Sequence, residues 1–152
     1  MLVSERYPSG RIVRHEFAAA GDLARVISLR GGVARTLAAN FSYAPHGAIS
    51  AMQLGNNRWE TTQFNNRLQP TQLGLGSTNN AANADLWRVN FEYGRLGGSG
   101  EILPGTNNGN VSKQIINVAS VTNNGATTPG FTATQYYGYD SLNRLQSARI
   151  TR

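Results

Sequence analysis

His15, His46, Trp59, Trp87 and eight scattered acids are the side chains of this 152-residue chain from which chemistry would first be built. The two histidines lie far apart and lack the i,i+4 or short-spaced partners of a metal site. His46 falls within Pro45-His46-Gly47, a turn sequence, and His15 alternates with Val13 and Phe17 as a sheet-face residue does. Glu5, Glu16, Asp22, Glu60, Asp85, Glu92, Glu101 and Asp140 form no close pair along the chain, so only folding would bring two carboxylates to glycosidase distances. Gly97-Gly98-Ser99-Gly100 lacks the Lys-Ser/Thr of a phosphate cradle and reads as a flexible loop. Asn40-Phe41-Ser42 and Asn110-Val111-Ser112 fit the glycosylation sequon, a triplet that is frequent in an Asn-rich chain. No catalytic residue, cofactor site or metal ligand is therefore assigned, and the chain is not expected to be an enzyme. Trp59 and Trp87 are the side chains suited to a ligand, since exposed rings stack against sugars.

Composition narrows the partners. The net charge is +6, and all but one of the 14 basic residues are Arg. They stand singly from Arg6 to Arg152 instead of forming the clustered stripe that phosphate backbones require. Nucleic acid is not an expected partner. Cysteine is absent, which removes disulfides and thiolate chemistry, and leaves the fold to hydrogen-bonded sheet and side-chain packing. Met1 to Arg6 holds no apolar run long enough for a secretion signal, and no segment approaches the ~20 apolar residues of a helical membrane span.

The elements that must position these residues are strands. Charged residues make up 14% of the chain, Gly numbers 17, and no long 3.6-residue periodicity appears. Arg11 to Phe17 and Leu23 to Leu29 alternate on either side of an Ala18 to Asp22 turn and predict a hairpin. Phe41 to Tyr43, Ile49 to Leu54, Arg58 to Phe64 and Leu68 to Leu75 continue as short strands, joined by Pro45-His46-Gly47, Gly55-Asn56-Asn57 and Asn65-Asn66. Ser77 to Asp85 reads as a loop or irregular helical turn. Trp87, Val89, Phe91 and Tyr93 mark the clearest period-2 strand. After a long Gly94 to Gly109 loop, strands are expected near Val111 to Val118, Phe131 to Tyr139 and Arg144 to Ile150, with Asn123-Asn124-Gly125 as a hairpin tip.

One spacing recurs. Tyr139-Asp140-Ser141-Leu142-Asn143-Arg144-Leu145 places an aromatic, a turn-capping acid, a residue suited to positive φ, an arginine and an apolar residue where a strand, a tight turn and a returning strand need them. Phe17 to Leu23, with Gly21, and Tyr43 to Ile49, with Gly47, keep the aromatic, the glycine and the apolar end. Tyr7-Pro8-Ser9-Gly10-Arg11-Ile12 carries its aromatic one place late, Phe64 to Leu68 reads as a copy with a shortened turn, and Gly109-Asn110-Val111 retains only the end. Self-similarity of this kind marks a repeat architecture. Asn143→Gly is expected to be neutral or mildly stabilising, and Asn143→Val to cost about 1 to 2 kcal/mol.

The motif resembles that of the YD-repeat, or RHS, family of β-shell proteins, which includes RHS toxins, Tc toxin shells and teneurins. The resemblance implies an all-β fold of antiparallel hairpins laid into a twisted or spiral sheet, with residues 1–152 forming a single repeat region of a longer array. It implies as partners the neighbouring repeats and an enclosed C-terminal cargo such as a toxin, and an extracellular or cell-envelope location. The family's autoproteolytic aspartate segment is not recognisable, so no self-cleaving residue is assigned. A different class, a module binding cell-surface carbohydrate through Trp59 and Trp87, remains open beside the structural one.

Overall fold

Alternating side chains and Gly/Asn punctuation generate strands throughout the computed structural model, which describes residues 3–152. Met1 and Leu2, the start of the stretch read for a signal, lie outside the described residues. Strands β1 (Ser4–Arg6), β2 (Ile12–Phe17), β3 (Leu23–Arg30), β4 (Val33–Tyr43), β5 (Ile49–Leu54), β6 (Trp59–Phe64) and β7 (Pro70–Gly76) follow one another. A single 3₁₀ turn, Ala81–Asn83, precedes β8 (Trp87–Tyr93) and β9 (Val111–Val118). A two-stranded ribbon, β10 (Val121–Asn123) and β11 (Ala126–Thr128), precedes β12 (Phe131–Tyr139) and β13 (Leu145–Thr151). All except the ribbon strands form one 11-stranded antiparallel sheet in the order β1-β2-β3-β4-β5-β6-β7-β8-β9-β12-β13. Apart from the β10–β11 ribbon set between β9 and β12, each strand pairs with its neighbours in sequence, so the architecture is a meander of hairpins.

The register sorts the side chains into two faces. Met52–Glu60–Leu75–Trp87–Val118–Phe131 and Thr62–Leu73–Val89–Ile116–Ala133 form cross-strand rows on one face, which is largely apolar. Ala51–Thr61–Gly74–Arg88–Asn117–Thr132 and Gln63–Gln72–Asn90–Ile115–Thr134 form rows on the other, which is largely polar. Among the described residues no second sheet packs on either face, the β10–β11 ribbon making its contacts within itself. Burial is accordingly shallow: the buried apolar residues are Val13, Ala51, Val89 and Ala133, and no large side chain is fully buried among the described residues. Part of the polar face is covered by the segment joining β7 to β8, where Gln72 Nε2 donates to the Ala81 carbonyl at 2.5 Å and a Cβ on Gly74 would sit 2.5 Å from the Ala84 methyl.

Several boundaries differ from the sequence reading. The strand expected at Phe41 begins at Val33, because the Val33–Asn40 run mixes Ala, Thr and Arg without clean alternation and takes its order from pairing with β3. β1 is three polar residues long and carries no periodicity to detect. Leu68 lies in a turn at φ 63° and not in β7. Asn123-Asn124-Gly125 forms a hairpin tip, with Asn124 at φ 50° and Gly125 at φ 81°, but of the separate β10–β11 ribbon, which stands between β9 and β12.

Candidate functional site

The strongest sequence motif builds a defined turn. In Tyr139 to Leu145 the Asp140 N–H donates to the Arg144 carbonyl and the Asn143 N–H to the Asp140 carbonyl, each at 3.0 Å, with Asn143 at φ 59°. Asp140 Oδ1 accepts the N–H groups of Leu142 and Arg144, both at 2.9 Å, and its Oδ2 accepts Arg144 Nε at 2.7 Å. The backbone N–H of Arg144, followed by its guanidinium, holds the Asp140 carboxyl below its ordinary pKa. A depressed pKa stabilises the fold above the unfolded-state value of about 3.9, and that stabilisation is lost as pH falls through the folded value. Arg144 and Asp140 thus act together on the turn, while Leu145 returns opposite Tyr139.

The same backbone pattern recurs after Phe17, Tyr43 and Phe64. Ala18 donates to Asp22 at 2.8 Å and Gly21 to Ala18 at 2.9 Å; Ala44 donates to Ala48 and Gly47 to Ala44, both at 2.8 Å. Gly21 and Gly47 have φ 92° and 85°. The copy at Phe64 is full-length and not shortened: Asn65 donates to Gln69 at 3.0 Å, Leu68 to Asn65 at 2.9 Å, and Pro70 pairs back with Phe64. Asn65 Oδ1 accepts from Arg67 and Gln69 as Asp140 Oδ1 does from Leu142 and Arg144. Arg67-Leu68 therefore only mimics the motif's Arg-Leu, and Leu68 occupies the left-handed position at a cost of about 1 to 2 kcal/mol.

Gly109-Asn110-Val111 is likewise the end of a whole motif whose beginning is Tyr93. Tyr93 pairs with Val111, just as Tyr139 pairs with Leu145, and Gly109 has φ 98°. The turn between them has been expanded into the 94–110 loop, which contains its own small turn with Leu96 bridged to Ile102. This loop is tied to both neighbouring tips. Arg67 Nη1 donates to the Asn107 carbonyl at 2.8 Å and Asn107 Nδ2 to Gln69 Oε1 at 2.8 Å; Asn108 and Asn110 donate to Asn143 Oδ1 at 3.1 and 3.0 Å.

Since all neighbours are antiparallel, successive connections alternate between the two ends of the strands. The turns after Phe17, Tyr43, Phe64, Tyr93 and Tyr139 all fall at one end and form a continuous motif rim. The turns at 7–11 and 54–58, at the other end, share the backbone geometry, with Gly10 at φ 76° and Asn57 at φ 63°, but carry Arg6 and Gln53 in place of the aromatic.

The rim aromatics have a role that sequence reasoning missed. Tyr43 Oη donates to the Leu23 carbonyl at 2.7 Å, Tyr93 Oη to Pro70 at 2.7 Å, and Tyr139 Oη to Val111 at 2.8 Å. Each acceptor is the motif's seventh residue in the preceding rim hairpin. Each also lies two residues outside the ladder to the tyrosine's strand, which starts at Arg25, Gln72 and Lys113 respectively. The hydroxyl thus closes the gap where strand pairing has opened. Burial raises the pKa of all three phenols, aided at Tyr43 by Asp22 and at Tyr139 by Tyr137. Phe64 occupies the same position beside Ile49 and has no hydroxyl to offer; its ring meets His46 edge-on at 4.7 Å.

The Asn108 and Asn110 ties change the expectation for Asn143→Gly. Glycine suits the backbone, but two side-chain hydrogen bonds are lost, so this variant should melt below the parent, and Asn143→Val, which adds strain at positive φ, lower still by about 1 to 2 kcal/mol. Urea melts of the two variants beside the parent check the order.

The two tryptophans are not brought together. Trp59 pairs with Gly76 on the polar face and Trp87 with Leu75 on the apolar face. Trp87 borders a cavity of about 490 Å³ lined also by Asp85, Arg88, Asn117 and Phe131, at the end opposite the motif rim. His15 lies beside Val26 in the sheet, remote from His46, and no group of three or more potential metal ligands occurs among the described residues.

No family model matches the chain, and no curated protein matches it. Solved structures do. A chain of the TcdB2-TccC3 crystal structure aligns with a TM-score of 0.68 at 20% identity, and one of the TcdB2-TccC3-Cdc42 structure with 0.66 at 20%, each covering 97% of this chain. A chain of the Photorhabdus luminescens Tc holotoxin pore aligns over 99% of this chain with a TM-score of 0.58 at 13% identity. The present chain spans 6% of the first two and 8% of the third. These likenesses establish the fold.

Proposed function

We propose, on the premise that this chain carries the antiparallel repeat fold of the TcdB2-TccC3 chains, that it forms part of the wall of a β-shell that encloses or delivers a C-terminal cargo polypeptide. The observation that carries the reading is a single-layer sheet of hairpins, open at both edge strands, in which tyrosines connect three of the rim hairpins, those of Tyr43, Tyr93 and Tyr139, to the one before. A wall needs lateral continuity and no catalytic centre, and residues 1–152 serve it as one repeat region of a longer array. Its partners are the neighbouring repeats and the cargo, at an extracellular or envelope location. An uncovered strand edge recruits further strands, and β13 is exposed along its whole length. Light scattering should therefore show concentration-dependent association of the isolated chain, suppressed when further motif hairpins are fused after β13. A concentration-independent monomer with a sharp cooperative melt overturns the reading.

A second reading, carbohydrate binding, is supported by the apolar-face row Trp87–Val118–Phe131, where the Trp87 ring and the half-exposed Phe131 ring stand either side of Val118 and offer two stacking surfaces to a sugar. Glycan-array binding lost in Trp87→Ala and retained in Trp59→Ala favours it; absence of reproducible binding removes it.

A further inference from the structure

Three arginines meet at the end of the sheet opposite the motif rim. Arg11, Arg30 and Arg35 line, with Ser28, a depression of about 440 Å³ whose lip is Val33 and Leu37. The register explains the convergence. Ser28 pairs with Val13 on one side and Arg35 on the other, Arg30 pairs with Val33, and continuing the Ile12–Leu29 pairing by one step sets Arg11 against Arg30. Arg11, Ser28, Arg30 and Arg35 thus share one face. Arg11 Nε donates to Ser28 Oγ at 2.9 Å, which leaves the hydroxyl proton available.

The charge is uncompensated. No carboxylate lines the depression, and the ion pairs among the described residues, Arg25–Glu16, Lys113–Glu92 and Arg144–Asp140, involve none of the three. Like charges directly opposite one another in a sheet are destabilising, and Glu5, the acid in the row Glu5–Val13–Ser28–Arg35, accepts from the Tyr7 hydroxyl and forms no ion pair with the three arginines.

We propose that this depression binds a tetrahedral oxyanion with three terminal oxygens, a phosphate or sulfate monoester group. A carboxylate is satisfied by one guanidinium fork and leaves two arginines facing each other. A tetrahedral ester has three terminal oxygens, one for each guanidinium, with the Ser28 hydroxyl as a fourth donor. Its ester carbon then exits along the apolar lip of Val33 and Leu37. The site is independent of the motif rim and of any cargo.

The test is an NMR titration of the arginine Nε–H resonances of the intact chain with inorganic phosphate, glucose 6-phosphate and glucosamine 6-sulfate, with acetate added at matched ionic strength. Saturable shifts confined to Arg11, Arg30 and Arg35 are expected, with acetate weaker by about tenfold and affinity falling about tenfold in Arg30→Gln, as loss of one charge-assisted bond predicts. Arg149→Gln, whose guanidinium lies over the Tyr136 ring, should leave binding unchanged. Saturation by inorganic phosphate with no binding of either ester restricts the site to the free ion and overturns the ester assignment. Non-saturating shifts shared with the exposed Arg14 and Arg95, or undiminished affinity in Arg30→Gln, overturn the site.

Discussion

Replacing Tyr43, Tyr93 and Tyr139 together by Phe should lower stability by about 3 kcal/mol, about 1 kcal/mol for each hydrogen bond removed. The rings remain, so packing is preserved and the loss isolates the three hydroxyls. The three bonds have separate partners on separate strands, so the single variants should add. In a sheet without a second layer, such a loss is a large share of a typical margin of 5 to 15 kcal/mol. Phe64→Tyr should act in the opposite direction, by supplying a donor to the Ile49 carbonyl, and gain about 1 kcal/mol. Urea melts of the singles, the triple and Phe64→Tyr check all of these. The pH dependence is a separate readout. Burial raises these phenol pKa values, so the phenols' contribution to stability should be constant below about pH 10, where the unfolded phenols titrate, and be lost as pH rises through the folded values. The triple variant should lose that alkaline slope.

Gly130→Ala should cost about 3 kcal/mol or prevent folding. A Cβ at this position meets the Val118 carbonyl oxygen, with Ser120 N at 2.6 Å and Ala119 C at 2.7 Å, all backbone atoms that no rotamer change can clear. Relief requires the chain leaving β9 to separate from the chain entering β12. Gly98→Ala is the control: a Cβ there meets nothing within 4 Å. Thermal melts of the two variants should differ by most of the Gly130→Ala penalty, and equal melting would show that the β9–β12 connection is free to move.

The sequence made the strands legible wherever period-2 alternation was strong. Ile49–Leu54, Val111–Val118 and Phe131–Tyr139 appear with the expected limits. Val33–Asn40 was not legible, since its small and polar residues take their strand conformation from β3 and β5. The motif was readable as chemistry at Tyr139, Phe17 and Tyr43, where Asn or Gly marks the left-handed position. At Phe64 it was hidden, because Asn65 does the work of Asp and Leu68 stands where Gly is usual. At Tyr93 it was split by the 94–110 loop. The shared rim was beyond sequence reasoning, as it depends on which connections fall at the same end of the strands. The Trp59 and Trp87 faces depend in turn on the pairing of β6, β7 and β8.

The hydroxyl contacts all run one way, from a later residue to an earlier one: Tyr43 to Leu23, Tyr93 to Pro70, Tyr139 to Val111. The sheet consequently has a polarity along its strand order: a rim carbonyl left outside the ladder is taken by the tyrosine of the following hairpin, except at Ile49, where Phe64 offers no hydroxyl. Leu145, the seventh residue of the last motif, holds the position that in the earlier hairpins presents its carbonyl to a tyrosine hydroxyl.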